Sequence, residues 1–193
     1  MILEILSFAY ASSLSAGVPT DQLRGTIDRI LEILQDEDLK SDHKRQARRS
    51  LLRSAISTRF DFTEMAKRSL GAEWRRRTPQ QQREFVELFT DLLQDAYIAD
   101  IESYQGEKVV FTRERLDPEY AEVESLLANA RGATYTMNYR LHLIDKEWRV
   151  YDVVIENVSI VNNYRSQFSR IISRWSYEEV VRRMKDKSVS RQH

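Results

Sequence analysis

The period of the hydrophobic pattern changes twice along this chain, and that change constrains the fold more than any other feature. Before Gln105, apolar residues recur at spacings of three and four, as on amphipathic helices. After Gly106, four segments rich in Val, Tyr, Thr and Leu show the alternation of strands; they are residues 108–115, 120–129, 133–144 and 148–160. Helical spacing then returns. This order predicts an α+β fold in which helices pack against one face of a four-stranded antiparallel sheet with short connections, and the helices before the sheet include an N-terminal extension.

Capping signals place the helix starts. The clearest is the segment TPQQ at residues 78–81, which combines an N-cap, a proline at the first helical position and a glutamine three residues after the cap. Gly71 stands where a left-handed residue would end the preceding helix. The predicted N-terminal signals are, in chain order, Thr20 or Asp21, Ser41, Asp61, Thr78, Asn162 or Asn163, and Ser176.

Composition excludes several classes of function. The chain has 193 residues and no cysteine, so disulfides, thiolate catalysis and iron–sulfur clusters are excluded. Its 30 basic residues balance its 30 acidic ones, which argues against a nucleic-acid-binding protein. Isolated glycines form no phosphate-binding loop, and the three histidines lack the spacing of metal ligands. We therefore expect no metal and no cofactor.

The charges balance globally but are segregated along the chain. Residues 44–77 are strongly basic, residues 84–124 are mainly acidic, and the last thirty residues are basic again. Such blocks are commonly solvated faces that pair with each other in the fold. The alternative is a dipolar surface that steers the protein toward charged docking partners.

Residues 1–17 are moderately apolar and rich in small residues, as at a signal-peptidase site. Glu4 interrupts the apolar stretch and no Lys or Arg precedes it, so this segment is either the remnant of a signal peptide or a disordered leader. We expect a single domain over residues 18–185 and a disordered tail over residues 186–193.

Acid-base chemistry is an open alternative. His142, Asp152 and Glu156 lie on predicted strands and could face a cavity. The competing interpretation is structural, with Asp152 and Glu156 pairing with Arg140 and Arg149 across the sheet and His142 half exposed.

Two long motifs together resemble a known family. The first comprises residues 60–71 (FDFTEMAKRSLG), Trp74-Arg75 and residues 78–85 (TPQQQREF), and the second comprises residues 148–161 (WRVYDVVIENVSIV) and 163–168 (NYRSQF). Both are similar to the signature of the MlaC/Ttg2D family of toluene-tolerance proteins. That family usually has Gly where this chain has Asn157, and Asn tolerates a left-handed backbone better than most residues.

The resemblance implies a periplasmic phospholipid-binding shuttle with a fold similar to nuclear transport factor two and no enzymatic activity. Its implied partners are an inner-membrane ABC-type complex of permease, ATPase and substrate-binding ring subunit, and an outer-membrane lipoprotein–porin complex. Together they would maintain outer-membrane lipid asymmetry. The carrier is expected to be a monomer, and the leader of such a protein is a cleaved signal peptide. There are two alternatives. The protein could carry another apolar ligand such as a hopanoid, or it could be an isomerase or hydrolase with Asp152 or His142 as base.

A lipid carrier needs a dry pocket. The residues expected to line it are Phe62, Met65, Leu70, Trp74, Phe85, Phe89, Leu92, Tyr97, Met137, Tyr139, Val150, Val154, Tyr164 and Phe168. Arg165, or one of Arg75, Arg76 and Arg77, is the candidate for contact with the headgroup phosphate.

Overall fold

The protein is described from a computed structural model, which covers residues 18–128 and 132–190, the last four of these by backbone alone. The predicted leader and the last three residues lie outside this part of the chain. The helices are α1 (Pro19–Gln35), α2 (Arg45–Arg59), α3 (Phe62–Leu70), α4 (Pro79–Glu102), α5 (Ile160–Arg174) and α6 (Tyr177–Ser190). The strands are β1 (Lys108–Leu116), β2 (Tyr120–Ala128), β3 (Thr134–Ile144), β4 (Glu147–Ile155) and β5 (Val158–Ser159).

The strands form one antiparallel meander in the order β1-β2-β3-β4-β5. This confirms the α+β class with an open antiparallel sheet and an N-terminal helical extension, but the sheet has five strands instead of four. The predicted last strand is broken at Glu156 and Asn157, whose φ angles are 47° and 65°. Two consecutive residues with positive φ make the tight turn of a two-residue hairpin, so β5 folds back onto the end of β4.

Several helix starts agree with the capping signals and others do not. The Thr78 hydroxyl accepts from Gln81 N and the Gln81 side chain accepts from Thr78 N, which confirms the predicted capping box. Asp61 caps α3 as predicted. Helix α5 starts earlier than expected because Ser159, rather than Asn162 or Asn163, is its N-cap.

The start of the first described helix and the end of the last one also differ from the prediction. Helix α1 begins at Pro19 after Val18, while the backbone N–H and the hydroxyl of Thr20 both donate to Glu114 on β1. Neither Thr20 nor Asp21 is therefore the cap. Helix α6 continues to Ser190, beyond the predicted boundary at Lys185.

Helix α4 connects the two hydrophobic clusters of the described structure because it contributes residues to both. Phe85 and Phe89 in its first half are fully buried in the main cluster, which joins the sheet, α3, α5 and α6. Ile98 in its second half packs with Ile33 of α1 and Leu52 of α2 in a smaller cluster. No helix in the described ranges is long and apolar enough to cross a membrane.

Ion pairs join the basic second helix to the acidic end of α4. Arg48 and Arg49 both bind Glu102, and Arg53 binds Asp95. The pairing of segregated charge blocks is thus confirmed at this contact. Burial is the largest single influence and raises the pKa of Glu102, but the hydrogen bonds and charges of Arg49 and Arg48 together outweigh it and hold the pKa below the usual value.

Strand β1 is an edge strand whose backbone pairs only with β2 among the described strands. A bulge interrupts the register between Phe111 and Arg113. Val110 and Leu116 are 51% and 57% exposed, so part of this edge is apolar.

The turn at Asn157 yields the first prediction. Replacement by Gly should leave the free energy of unfolding unchanged or slightly higher, because Gly adopts a positive φ freely. Replacement by Val should cost about 1–2 kcal/mol, since a β-branched side chain resists this backbone conformation. Urea unfolding of both variants measures the difference, and equal stabilities would contradict the role of the left-handed turn.

Candidate functional site, an apolar core beside a cationic cleft

The expected lipid-pocket residues are brought together, with one exception. Thirteen of them belong to the main hydrophobic cluster or pack against it. Those buried in it are Met65, Leu70, Phe85, Phe89, Leu92, Tyr139, Val150 and Phe168. Those half buried against it are Phe62, Trp74, Tyr97, Met137 and Tyr164.

Val154 is the exception. It is buried but lies outside this cluster. On β4, Val153 pairs with Tyr139 and belongs to the cluster, whereas Val154 pairs with Asn138 and Ser159. Because successive strand residues point to opposite faces, the structure places Val154 on the other face of the sheet from the proposed wall.

Aromatic rings from α4 and α5 form the centre of the cluster. The Phe89 ring lies 5.4 Å from Tyr164 and 5.9 Å from Phe168, in edge-to-face contacts. Phe85 lies 5.6 Å from Phe168 in the same geometry and stacks on Phe89. Such rings present a large apolar area with few rotatable bonds, which suits a wall that contacts hydrocarbon.

The inner face of the sheet carries one buried phenol. Tyr139 is 7% exposed, and its hydroxyl lies 3.9 Å from the Met137 sulfur, a weak acceptor. Burial raises the pKa of Tyr139 to about 12, although a hydrogen bond with Ser125 partly opposes the shift. The hydroxyl is therefore neutral at any physiological pH and adds no charge to the apolar region.

A cationic cleft of about 350 Å³ lies beside this cluster, between α3, the 3₁₀ segment Gly71–Arg76, the sheet and the start of α5. Its cationic side chains are Lys67, Arg68, Arg75, Arg140 and Arg165. Trp74 and Val161 line the cleft and also belong to, or pack against, the main cluster. The cleft therefore borders the apolar region at these two residues.

Three of the five cations are already paired. Lys67 and Arg68 bind Glu64, and Arg140 binds Asp152 at 3.1 Å. Arg68 also lies over the Tyr151 ring at 4.1 Å from its centroid. Although burial opposes its charge, these two cations hold the pKa of Glu64 below the usual value.

Arg75 and Arg165 differ from the other three. Within residues 18–128 and 132–186, neither side chain forms a hydrogen bond or ion pair, and both residues are exposed. Gly71, with φ of 61°, lets the Arg165 guanidinium lie against the backbone, because a Cβ there would stand 3.0 Å from Nε. The predicted headgroup candidate Arg165 thus lies in a cleft that is shaped to admit its side chain.

Hydrogen bonds of Asp152 connect the lining of the cleft to the sheet and to the start of α5. Its side chain is 4% exposed and accepts from Arg140, from the Ser159 hydroxyl at 2.7 Å and from Val161 N at 3.1 Å. The last bond places the carboxylate at the N-terminus of α5, where the helix dipole favours a negative charge. Three donors from the protein already occupy this carboxylate, so the geometry favours the structural interpretation of Asp152.

The other two acid-base candidates also have structural contacts. His142 Nε2 lies 3.1 Å from Asp61 Oδ2, and the imidazole packs edge-on against Tyr151. The pair connects β3 to the start of α3. Glu156 accepts from the backbone and the hydroxyl of Thr136, and Arg149 binds Glu147, so the predicted Glu156–Arg149 pair is wrong while the Arg140–Asp152 pair is confirmed.

The remaining headgroup candidates lie elsewhere. Arg76 and Arg77 bind Glu73, and Arg77 also lies 4.5 Å from the Tyr177 ring centroid. Of the three consecutive arginines, only Arg75 lines the cleft. Within the described residues, no group of three or more His, Asp or Glu side chains could hold a metal ion.

A larger groove of about 510 Å³ lies between α1 and α2 and contains none of the predicted site residues. Gly25, Thr26, Ser54 and Ala55 are among the small residues that line it. It is separate from the cluster that carries the aromatic wall, so we do not place the function there.

The sequence did not single out several residues of the cleft. Arg68, Arg140 and Tyr151 come from α3, β3 and β4, and only the fold brings them together. The sequence predicts Gly71 as the end of a helix, and only the fold brings the Arg165 side chain beside it. Arg68, Gly71 and Tyr151 lie within the two long motifs, which was the one sequence signal for them, whereas Arg140 lies outside both motifs.

Comparison with known proteins decides the family. A family model described as MlaC protein matches residues 24–186. The chain belongs to the MlaC family. The resemblance of the two long motifs is thereby confirmed.

Relatives of this MlaC-family chain agree with that assignment. The toluene tolerance protein ttg2D of Pseudomonas putida is 24% identical over 164 residues, which is 84% of this chain and 76% of that protein. A solved structure of a phospholipid-binding protein from Ralstonia solanacearum, in complex with a phospholipid, superposes with a TM-score of 0.80. It is 24% identical in sequence, and the match covers 90% of this chain and 98% of that one. The two proteins share one fold.

Replacing Asp152 by Ala in this MlaC-family protein should lower the free energy of unfolding by about 3 kcal/mol, because Arg140 loses its partner and two donors lose their acceptor. Asp42→Ala is the matched control, since that carboxylate is 99% exposed. Chemical denaturation measures both variants. Similar stabilities would contradict the role of Asp152 as an anchor.

Tyr139 makes stability depend on pH in the alkaline range. Its pKa is about 12 in the folded protein, against about 10 in an unfolded chain, so stability should fall as pH rises from 10 through 12. Tyr139→Phe should remove about 2 kcal/mol of that loss. Tyr177, whose pKa burial also raises to about 12, is present in both proteins and cancels in the comparison. Parallel stability profiles from pH 9 to 12 would refute the assignment.

Proposed function

We propose that this protein is a phospholipid carrier that holds acyl chains between the sheet and helices α4 and α5. The observation that carries the proposal is the single cluster of thirteen apolar wall residues that ends at a cationic cleft. A lipid has the same two parts, an apolar tail and a phosphate. Membership of the MlaC family and the shared fold with a phospholipid-binding protein support the same conclusion.

The energetics of lipid transfer require such an enclosure. Moving about 30 methylenes into water costs on the order of 24 kcal/mol, at about 0.8 kcal/mol each. A carrier that moves through water must therefore cover nearly the whole tail. The wall residues Phe85, Phe89 and Phe168 contact one another directly and form the aromatic centre of this wall.

Membership of the MlaC family also supports a proposal for the cellular role. The carrier works in the periplasm as a monomer and moves lipid between an outer-membrane lipoprotein–porin complex and an inner-membrane ABC-type complex, which maintains outer-membrane lipid asymmetry. Residues 18–185 form its lipid-binding domain. Carriage breaks no covalent bond, and the polar contacts of Asp152 and His142 fit a chain without an enzymatic function.

A carboxylate placed in the wall tests this function. Met137 is half buried against the cluster, so Met137→Asp should reduce the phospholipid that copurifies with the protein at least about tenfold, because a charge among the acyl chains costs more than 1.4 kcal/mol. Leu51→Asp is the control, since Leu51 is 40% exposed on α2 outside the cluster. Lipid extraction followed by mass spectrometry measures the content.

Circular dichroism must show that both variants are folded. A folded Met137→Asp protein with the lipid content of the wild type would contradict the pocket assignment. A polycyclic lipid in the extract of the wild type would contradict phospholipid as the ligand.

A further inference from the structure

The cationic cleft has an excess of positive charge. Five cations line it, whereas Asp152 is its only lining carboxylate and Glu64, which binds Lys67 and Arg68, is the second nearby. Asp152 is itself neutralised by Arg140. The cleft therefore presents a net positive field to any group that enters it.

Five cations and two carboxylates leave three excess positive charges, and two of these belong to side chains without a carboxylate partner among the described residues. Arg75 on the 3₁₀ segment and Arg165 on α5 line the cleft from two different elements, and within the described residues neither has an ion-pair partner. Arginine binds phosphate oxygens through two parallel N–H donors, so a pair of free guanidinium groups is well suited to one phosphate. Because Gly71 has no Cβ, the guanidinium of Arg165 lies close to the backbone at the wall of the cleft.

The position of the cleft determines what kind of anion fits. Trp74 and Val161 form part of its lining and also contact or belong to the apolar cluster. An anion bound at Arg165 is thus next to the apolar region, and an amphiphile can occupy both sites at once.

The sign of the charge then discriminates between headgroups. A zwitterionic headgroup carries an ammonium that would lie among arginines, where like charges repel. A headgroup with a net negative charge has no such group. We propose that the cleft binds the lipid phosphate through Arg165 and Arg75 and selects phospholipids with a net negative headgroup over zwitterionic ones. This inference rests on the proposed carrier function.

Competition between two lipids tests the selection. The protein stripped of lipid is incubated with vesicles of equal parts phosphatidylglycerol and phosphatidylethanolamine with identical acyl chains, then separated and extracted. The wild type should take up more phosphatidylglycerol. Arg165→Gln should lower the ratio of phosphatidylglycerol to phosphatidylethanolamine about threefold, as expected for an exposed charge, and the double variant with Arg75→Gln should lower it further.

Arg170→Gln is the matched control. It removes one positive charge from an exposed position on the same helix, and Arg170 is absent from the lining of the cleft. Its lipid ratio should equal that of the wild type. Equal ratios in the Arg165 and Arg170 variants would overturn the headgroup site.

Inorganic phosphate is the other ligand that the two arginines of the cleft could bind through the same contacts. Calorimetric titration with inorganic phosphate distinguishes the two, because a lipid headgroup in the cleft excludes phosphate. Binding to the lipid-stripped protein that disappears after loading with phosphatidylglycerol supports the proposal. Arg165-dependent phosphate binding of equal affinity in the loaded protein would overturn it and indicate a site for a free anion.

The failure of this inference differs from the failure of the carrier function. If all variants take up lipid with the same ratio, the selection by charge is wrong and the carrier function stands. If the wild type takes up neither lipid from the mixed vesicles, both are wrong.

Discussion

The buried carboxylate of Asp152 is the interaction on which the arrangement of sheet, cleft and helix α5 depends. It accepts from Arg140 on β3, from the cap residue Ser159 and from the first turn of α5 through Val161 N. A buried carboxylate without partners would be costly, so these three donors must converge on it. The hairpin at Glu156 and Asn157 brings Ser159 and Val161 back to Asp152, and this places Arg165 in the second turn of α5 over the cleft.

Local signals predicted the fold well where local physics determines the structure. The capping box at Thr78 involves only residues within one turn, and the alternation of β1 to β4 follows from burial of one face. The prediction failed where a tertiary contact competes with a local one. Thr20 donates to Glu114 of a distant strand instead of capping α1, and Ser159 caps α5 because the chain turns at Asn157.

The candidate site was predictable in its apolar part and much less so in its polar part. Period-two and period-3.6 patterns identify core-facing residues, which is why thirteen proposed wall residues meet in one cluster. Val154 is four residues from Val150 and would share its face by simple alternation, but a bulge between Val150 and Asp152 shifts the alternation of β4, and no local pattern marks that bulge. The cleft depends on side chains such as Arg68 and Arg140, more than seventy residues apart, and sequence spacing alone could not bring these together.

The exposed edge of β1 has a further consequence. Its outer row of backbone donors and acceptors could accept a strand from another molecule, and the exposed Val110 and Leu116 would favour that contact. The bulge after Phe111 and the charged residues Arg113 and Glu114 oppose it, because a kinked and charged edge is a poor template for a flat intermolecular sheet. Charge on this strand therefore protects the protein against aggregation, independently of anything that it binds.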